Sequence, residues 1–437
     1  MSLVSNFKAL YKNPSVKSVG IYTFSNFFSK VVSFLLLFVF TNPLYITPSE
    51  NGLLSLFSTS LVFLMPFLSL GIIHSTSTDF FKLEKKEFKD FFSTGFVMPV
   101  AVMIFSTAIL FLCRHFLQET YGFPTMFVWL IPAVTFLIFC NEQLLGLARD
   151  NNEPTVYLKA NITKTILEFG LSFILVVYFA MRWEGRIQGI FISYLITGMY
   201  AFYYFNKKGY LFGRIQKKYL YSELVYAVPI MALQASIFTM NSSDKFFLSS
   251  FSSDNNETVG IYSIACVFAA VVNILSMALL QYIFPKIYAM LSSGNVDYPS
   301  IRKLFFGYIG VMAIATLCLI VGTPLLYKYF INVKYGPALR YSYLLYLGNF
   351  LWTLCYFFYS FLLYYKQKKK ILILSLCCIA VSLSCNYFFI SKWLDYGAAV
   401  STLVSYFIVF LITLFFTASH WKKFLLKSNS IPLSSEQ

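Results

Sequence analysis

The sequence predicts an all-α integral membrane protein with about twelve transmembrane helices in two six-helix bundles. Apolar stretches long enough to cross a bilayer follow one another from Ser18 to His420. The chain of 437 residues is 58% hydrophobic and 12% charged, whereas soluble domains carry about 25% charged residues. A transmembrane helix needs about 20 apolar residues and satisfies its own backbone hydrogen bonds in lipid. Composition therefore excludes soluble and disordered proteins, and the long continuous runs argue against a membrane β-barrel.

Twelve predicted spans are separated by short loops. Loops on both faces run to about 15 residues or fewer, except for a basic connector around 206–220, so no folded extramembrane domain is expected. The predicted bounds are 18–41, 52–76, 92–113, 125–147, 155–181, 187–206, 222–251, 258–284, 301–323, 338–365, 371–390 and 396–419.

Lysine and arginine are unequally distributed between the two sets of loops. With a cytoplasmic amino terminus, 23 of the 34 basic residues fall on the cytoplasmic side and 7 on the opposite side. Positive charge in short loops marks the cytoplasmic face. We therefore expect an even number of spans with both termini in the cytoplasm. The net charge of +16 is interpreted as topology, with no nucleic acid as a partner.

The chain divides near Lys217–Lys218 into two sets of six spans. This division predicts an amino-terminal bundle of residues 1–215 and a carboxy-terminal bundle of residues 216–437. Parallel six-helix halves are typical of many alternating-access transporters, whose substrate path lies where the halves meet. We therefore predict an alternating-access transporter fold.

Short motifs recur in corresponding places of the two halves. Each half opens with a polar cluster that contains a lysine, at 26–30 and at 241–245. Each half then restarts after a polar turn with a Gly-x-x-Ser motif, at Gly52 and again at Gly260. These recurrences are consistent with an internal repeat.

Three charged residues lie deep inside spans of the first half. Lys30 is 12 residues past Ser18 and shares a helix face with Asn26, whereas Lys164 and Glu168 lie one turn apart in the fifth span. A charge at the centre of a span costs about 2.5–3.5 kcal/mol, so it normally faces a water-filled cavity or a partner. Asn26, Lys30 and Lys164 are therefore candidate substrate-binding residues of a cationic cavity. Two structural alternatives stay open. Asn26 and Lys30 could instead form a hydrogen bond between helices, and Lys164 and Glu168 could form a local ion pair.

The second half carries adjacent opposite charges late in its first span. Lys245 shares a helix face with Asn241, and Asp244 points about 100° away from Lys245 on a helix. We predict that Lys245 and Asn241 belong to the same cationic, substrate-binding surface. Asp244, like Glu168, is a candidate for ion coupling or for a structural ion pair.

The sequence carries no signature of catalysis. It contains no Ser-His-Asp arrangement, phosphate-binding glycine loop or paired catalytic carboxylates. The eight cysteines lie within or beside apolar segments, without CxxC pairs or metal-ligand spacing. We therefore expect a transporter rather than an enzyme, with no catalytic residue, metal or cofactor.

The opening of the second half resembles a stretch shared by bacterial polysaccharide export proteins. The stretch at 228–268 reads VPIMALQASIFTMNSSDKFFLSSFSSDNNETVGIYSIACVF, with a proline in the helix, Asp244 before a short apolar run, and Val-Gly-Ile-Tyr-Ser-x-Ala. LLQYIFPKI, with Pro285, follows. By this resemblance the chain is similar to O-antigen or capsule repeat-unit flippases of the multidrug/oligosaccharidyl-lipid/polysaccharide exporter superfamily.

The resemblance implies a substrate and a location. The substrate would be an undecaprenyl-pyrophosphate-linked oligosaccharide carried to the outer leaflet of the bacterial inner membrane. The cationic cavity of such flippases, between two six-helix bundles, corresponds to Lys30 and Lys245, and less closely to Lys164. Membrane lipids, a polysaccharide polymerase and a chain-length regulator are the candidate partners.

Two alternatives are retained. A multidrug or cation antiporter of the same superfamily would favour acidic cavity residues, and this chain has more deep lysines than deep carboxylates. A membrane polysaccharide polymerase would share the number of spans but would need a substantial outer loop, and the candidates at 114–124 and 324–337 are short.

Overall fold

The computed structural model describes residues 14–292 and 297–425, and within these ranges the chain is helical without β-strands. One π-helical segment, Ile174–Tyr178, continues α7, and one 3-10 helix, Val333–Ala338, precedes α13. In the first half the helices are α1 Pro14–Phe40, α2 Pro48–Ser69, α3 Ile72–Asp79, α4 Lys85–Leu112, α5 Arg114–Tyr121, α6 Phe127–Asp150, α7 Pro154–Phe173 and α8 Arg182–Lys208. In the second half they are α9 Lys217–Ser242, α10 Asp244–Phe251, α11 Glu257–Ser292, α12 Tyr298–Phe330, α13 Leu339–Tyr364, α14 Lys368–Phe416 and α15 Ala418–Leu425.

The predicted all-helical membrane fold is confirmed. In the described part of the chain, nine helices are long and apolar enough to cross a membrane, and bent α9 would be a tenth. α8 coincides with the predicted span 187–206 but is not among these nine. The count of twelve stays a prediction, and both termini lie outside the described residues.

α14 is two helices joined by a sharp reversal. Leu394 has φ 46° and ψ −119°, a positive φ that is costly for a branched side chain. The Ser401 hydroxyl donates to Asn386 Oδ1 over 2.6 Å, although 15 residues of straight helix would separate them by roughly 22 Å. A Cβ added to Gly397 would lie 2.1 Å from the Phe389 carbonyl oxygen, so the turn requires glycine there. The two arms correspond to the predicted spans 371–390 and 396–419.

α9 is bent by 40° between Lys217–Val225 and Ala227–Ser242. Pro229 explains the bend, because a proline ring clashes with the carbonyl of the residue four positions earlier, here Val225.

The chain forms two compact units. Unit 1 comprises the described residues up to Gln234 together with Asp254–Gly260, and unit 2 comprises Ala235–Ser253 and the described residues from Ile261 onward. This division falls inside α9 rather than in the preceding connector. The predicted bundle boundary at 215/216 concerns the sequence repeat and stays a prediction.

Each unit has an aromatic-rich core. In unit 1 the buried residues Phe92, Phe139 and Phe205 are at most 1% exposed. In unit 2 Phe305 packs against Phe357, with ring centroids 4.9 Å apart. These cores hold the helices that carry the polar groups described below.

The two glycines of the recurring Gly-x-x-Ser motif meet inside unit 1. A Cβ added to Gly52 would lie 2.0 Å from the Asn256 carbonyl oxygen, and one added to Gly260 would lie 1.8 Å from that of Pro48. Asn256 Nδ2 also donates to the Tyr121 carbonyl oxygen over 2.9 Å. The start of α11 therefore packs on α2 with backbone against backbone, as small residues allow in membrane helices.

Substituting either glycine with alanine should destabilise the protein by about 1–3 kcal/mol, the usual cost of overpacking. The measurement is the melting temperature of the purified protein in detergent. Gly310→Ala is the matched control, since Gly310 is helical and exposed and a Cβ there meets nothing within 4 Å. Equal melting temperatures for Gly52→Ala and Gly310→Ala would contradict the close approach.

Candidate functional site

In unit 1, polar side chains of α1 form hydrogen bonds with side chains of α7. The Tyr157 hydroxyl donates to Asn26 Oδ1 over 2.9 Å, and Asn161 Nδ2 lies 3.4 Å from the same oxygen. The hydroxyl oxygens of Ser29 and Thr165 lie 2.7 Å apart. Asn26 thus makes hydrogen bonds between helices, which is the structural alternative to substrate binding considered above. Asn26 is nevertheless exposed.

Lys30 lies one helical turn beyond Asn26 and differs from it in having no such bond. Its side chain is exposed. Within residues 14–292 and 297–425, no carboxylate lies within 4 Å of its ammonium. Lys30 is therefore a cation on a membrane helix that forms no ion pair with a described residue.

Lys164 belongs to a charged cluster with Glu168 and Arg186. Lys164 Nζ lies 2.9 Å from Glu168 Oε2, and Arg186 Nη2 lies 2.8 Å from Glu168 Oε1. Arg186 Nη1 donates to the Ser172 hydroxyl over 2.8 Å, and Lys164 lies over the Tyr194 ring, 4.7 Å from its centroid. Each oxygen of Glu168 thus has its own cation, and the cluster carries one net positive charge.

Arg186 is not among the predicted site residues, because it falls between the predicted spans 155–181 and 187–206. It lies in the first turns of α8, and the π-helical segment Ile174–Tyr178 separates it from Glu168 along the chain. The sequence did offer one indication of such a partner: Glu168 lies deep in a span with only Lys164 nearby. A carboxylate removed from water is stabilised by a second hydrogen-bond donor.

Unit 2 contains a polar cavity of about 280 Å³. It forms where α9 ends at Ser242 and α10 begins at Asp244. The predicted residues Asn241, Asp244 and Lys245 all border it. The other polar residues in its wall are Ser242, Tyr262, Asn273, Asn349, Thr402 and Tyr406.

Asp244 is buried in the wall of this cavity. The Tyr262 hydroxyl donates to Asp244 Oδ2 over 2.5 Å, and the backbone N–H of Lys245 donates to Oδ1 over 2.9 Å. Asp244 also lies in the first turn of α10, where the helix dipole stabilises negative charge. These contacts hold the carboxylate in place.

Lys245 borders the same cavity with its side chain half-buried. In the part of the chain that the structure describes, no carboxylate lies within 4 Å of its ammonium. Asn241 is fixed beside it, because the Tyr406 hydroxyl donates to Asn241 Oδ1 over 3.0 Å. Tyr406 carries no sequence signal, since tyrosine is abundant throughout this chain. Tyr262 is the tyrosine of the Val-Gly-Ile-Tyr-Ser-x-Ala stretch, but that stretch does not indicate its contact with Asp244.

Asn273 adds an unsatisfied polar atom to the cavity wall. Its Nδ2 donates to Asn349 Oδ1 over 2.5 Å. Its Oδ1 is buried, and no residue that the structure describes donates a hydrogen bond to it. A buried amide oxygen of this kind is costly unless it binds water or a ligand, so it is available to accept a hydrogen bond from a molecule in the cavity.

The charged cluster in unit 1 gives a stability prediction. Glu168→Gln should destabilise the protein by about 3–5 kcal/mol, because two partly buried cations lose their common counter-charge. Folded yield and melting temperature of the purified variant are the measurements. Glu184→Gln, at an exposed glutamate of α8, should leave both unchanged, and an equal loss in the two variants would contradict the role given to Glu168.

Comparison with known proteins identifies a family and a fold. The model of a family described as polysaccharide biosynthesis protein matches residues 15–291. No curated protein sequence matched significantly.

Several solved structures share the fold at low sequence identity. An inward-facing multidrug resistance MATE family transporter of the MOP superfamily gives a TM-score of 0.71 at 13% identity, over 90% of this chain and 96% of that one. The lipid II flippase MurJ, in an inward closed conformation, gives 0.70 at 13% identity, over 91% and 87%. A Vibrio cholerae MATE transporter, VcmN, gives 0.57 at 15% identity, over 94% and 98%. The chain therefore has the fold of MOP-superfamily transporters.

Proposed function

Because this chain belongs to the polysaccharide biosynthesis protein family, we propose that it is a flippase for surface polysaccharide assembly. Its substrate would be an undecaprenyl-pyrophosphate-linked oligosaccharide repeat unit, moved across the bacterial inner membrane. The observation that carries this proposal is the presence, in each unit, of a lysine on a membrane helix without a carboxylate within 4 Å in the described residues. These lysines are Lys30 and Lys245.

The chemistry of the substrate matches these cations. A pyrophosphate that carries sugars cannot cross hydrocarbon at a useful rate, because its charge would have to leave water. Two unit charges 4 Å apart attract by about 4 kcal/mol at an effective dielectric constant of 20, against about 1 kcal/mol in water. Lys30 and Lys245 would bind the headgroup, and the Lys164 cluster, with one net positive charge, would assist them.

The cavity of unit 2 supplies groups for sugar hydroxyls. Asn241 and Asn273 present amide groups, and the Asn273 Oδ1 atom has no hydrogen-bond partner within residues 14–292 and 297–425. Replacing the water around a sugar requires such donors and acceptors. Asp244, held next to Lys245, is the proposed coupling or structural carboxylate of the site. The lipid tail would stay in the bilayer throughout.

The multidrug antiporter is a less suitable reading of these residues. The two carboxylates of the proposed substrate site, Glu168 and Asp244, are not free to bind an organic cation. Both oxygens of Glu168 are paired with cations, and Asp244 accepts two hydrogen bonds. Expression in a drug-sensitive strain separates the two readings. Resistance to cationic drugs without any change in glycan would favour the antiporter.

The polymerase alternative lacks room for its chemistry. The candidate outer loop 114–124 holds the short helix Arg114–Tyr121, and the candidate loop 324–337 holds the end of α12 and most of the 3-10 helix Val333–Ala338. In cells, a polysaccharide polymerase and a chain-length regulator would act after this protein, which would lie in the inner membrane with both termini in the cytoplasm.

Lys30→Ala and Lys245→Ala should each lower export of the repeat unit by about tenfold or more, since losing about 1.4 kcal/mol of headgroup attraction corresponds to that factor. Surface polysaccharide and membrane abundance of the protein are measured together. Arginine at either position should retain most export because the charge is kept. Lys303→Ala, at an exposed lysine of α12, is the matched control, and full export by both alanine variants would refute the cationic site.

Deletion of the gene should trap lipid-linked repeat units on the cytoplasmic face of the membrane, because the undecaprenyl-linked headgroup cannot cross unaided. The measurement is the accessibility of these intermediates to a glycan-modifying enzyme in oriented vesicles. Complementation with the intact chain is the control. Repeat units that are exported but not polymerised would instead support the polymerase.

A further inference from the structure

A second polar cavity, in unit 1, contains a buried carboxylate that the proposed flippase site does not use. Glu223 lies in the first segment of α9 and is 2% exposed. Among the described residues, neither of its carboxylate oxygens has a hydrogen-bond partner. Its carboxylate lies against the backbone of α4, because a Cβ added to Gly95 would be 2.7 Å from Glu223 Oε1. An isolated buried carboxylate is strongly unfavourable unless it binds a counter-charge.

The cavity beside Glu223 has a volume of about 160 Å³, and every residue that lines it except Phe91 is polar or charged. Three hydroxyl groups line it, from Ser75, Thr78 and Ser222. Each already donates its hydrogen to a backbone carbonyl of its own helix, over 3.1, 2.9 and 2.9 Å. A hydroxyl that has donated its only hydrogen can still offer its lone pairs. These groups therefore cannot neutralise Glu223 as donors, but they can bind a cation.

The charged groups around the cavity leave one negative charge uncompensated. Asp79 and Lys82 also line it, and they pair with each other, with Lys82 Nζ 3.4 Å from Asp79 Oδ1. The Lys82 side chain is 63% exposed and is directed to that partner. Two carboxylates and one ammonium give a net charge of −1, which one monovalent cation would balance.

We propose that this cavity is a binding site for an alkali-metal cation, with Glu223 as the principal ligand and the cavity hydroxyls and Asp79 as further oxygen ligands. Hard cations prefer carboxylate and other oxygen ligands. A water molecule occupies about 30 Å³ in the liquid, so the cavity has room for an ion that keeps part of its hydration. Binding would connect α3 and the first segment of α9 within unit 1.

The test uses the full-length protein in detergent, with Na⁺ as the probe. Melting temperature is followed as NaCl replaces choline chloride at constant ionic strength, because a ligand that binds only the folded state stabilises it. The parent carries Asp244→Asn, so that the carboxylate in unit 2 does not contribute. Na⁺ should stabilise this parent. Adding Glu223→Gln should raise the half-saturating Na⁺ concentration by about tenfold or more, equivalent to about 1.4 kcal/mol.

Controls make the result specific. Glu87→Gln, at an exposed glutamate of the neighbouring helix α4, should keep the Na⁺ response. Binding of radiolabelled sodium to the chain without Asp244→Asn supplies a second measurement, in which Glu223→Gln should remove one ion per molecule. Without Na⁺, Glu223→Gln should be at least as stable as its parent, since it removes an unpaired charge.

Three outcomes would overturn the proposal: no difference between Na⁺ and choline, an unchanged response in Glu223→Gln, or stabilisation on acidification that depends on Glu223 but not on Na⁺. The last would identify a proton as the ligand. Export by the Lys30 and Lys245 variants is measured separately, so failure of the cation site would not be confused with failure of the flippase assignment.

Discussion

The constraint on which this structure depends is that hydrocarbon cannot hydrogen-bond the peptide backbone. A helix satisfies this constraint with its own backbone hydrogen bonds. Wherever a helix is interrupted, other groups must form the missing hydrogen bonds. Where α9 ends and α10 begins, the Ser382 hydroxyl donates to the Thr239 carbonyl oxygen over 2.9 Å, and Asn386 Nδ2 donates to the Ser243 hydroxyl over 2.9 Å. The break that creates the unit 2 cavity is thus supported by side chains of the reversed helix α14.

Hydrocarbon cannot solvate charged side chains either. The charged residues discussed above are of two kinds, those that have a partner among the described residues and those that do not. Glu168 has a cation at each oxygen, and Asp244 accepts from a hydroxyl and a backbone N–H. Lys30, Lys245 and Glu223 lack such compensation within the described residues. Charges without a partner in an apolar environment destabilise the folded protein. Those positions are where a ligand gains most from binding.

Much of the fold follows from sequence because lipid makes hydropathy and loop charge decisive. Helices occur at the predicted spans, and the family resemblance agrees with the matched family and the transporter fold. The site was less predictable. Asn26 and Lys164 were recognised as polar positions, but their partners Tyr157 and Arg186 depend on helix packing, which periodicity does not specify. Glu223 was overlooked because, near a span end, a carboxylate usually reaches water, and only the packing against Gly95 shows that it does not.

The contact between Gly52 and Gly260 bears on how such a chain could have arisen by duplication. Unit 1 includes the segment Asp254–Gly260, which the second half encodes. An ancestral single-half protein would have had to obtain this segment from another copy of itself, as in an exchange of identical elements between subunits. Fusion of the two copies into one gene would then have turned a contact between two molecules into a contact within one chain. The effective concentration of the segment at α2 would then no longer depend on the protein concentration. A present-day first half expressed alone would lack that segment and would leave the surface of α2 around Pro48 and Gly52 uncovered.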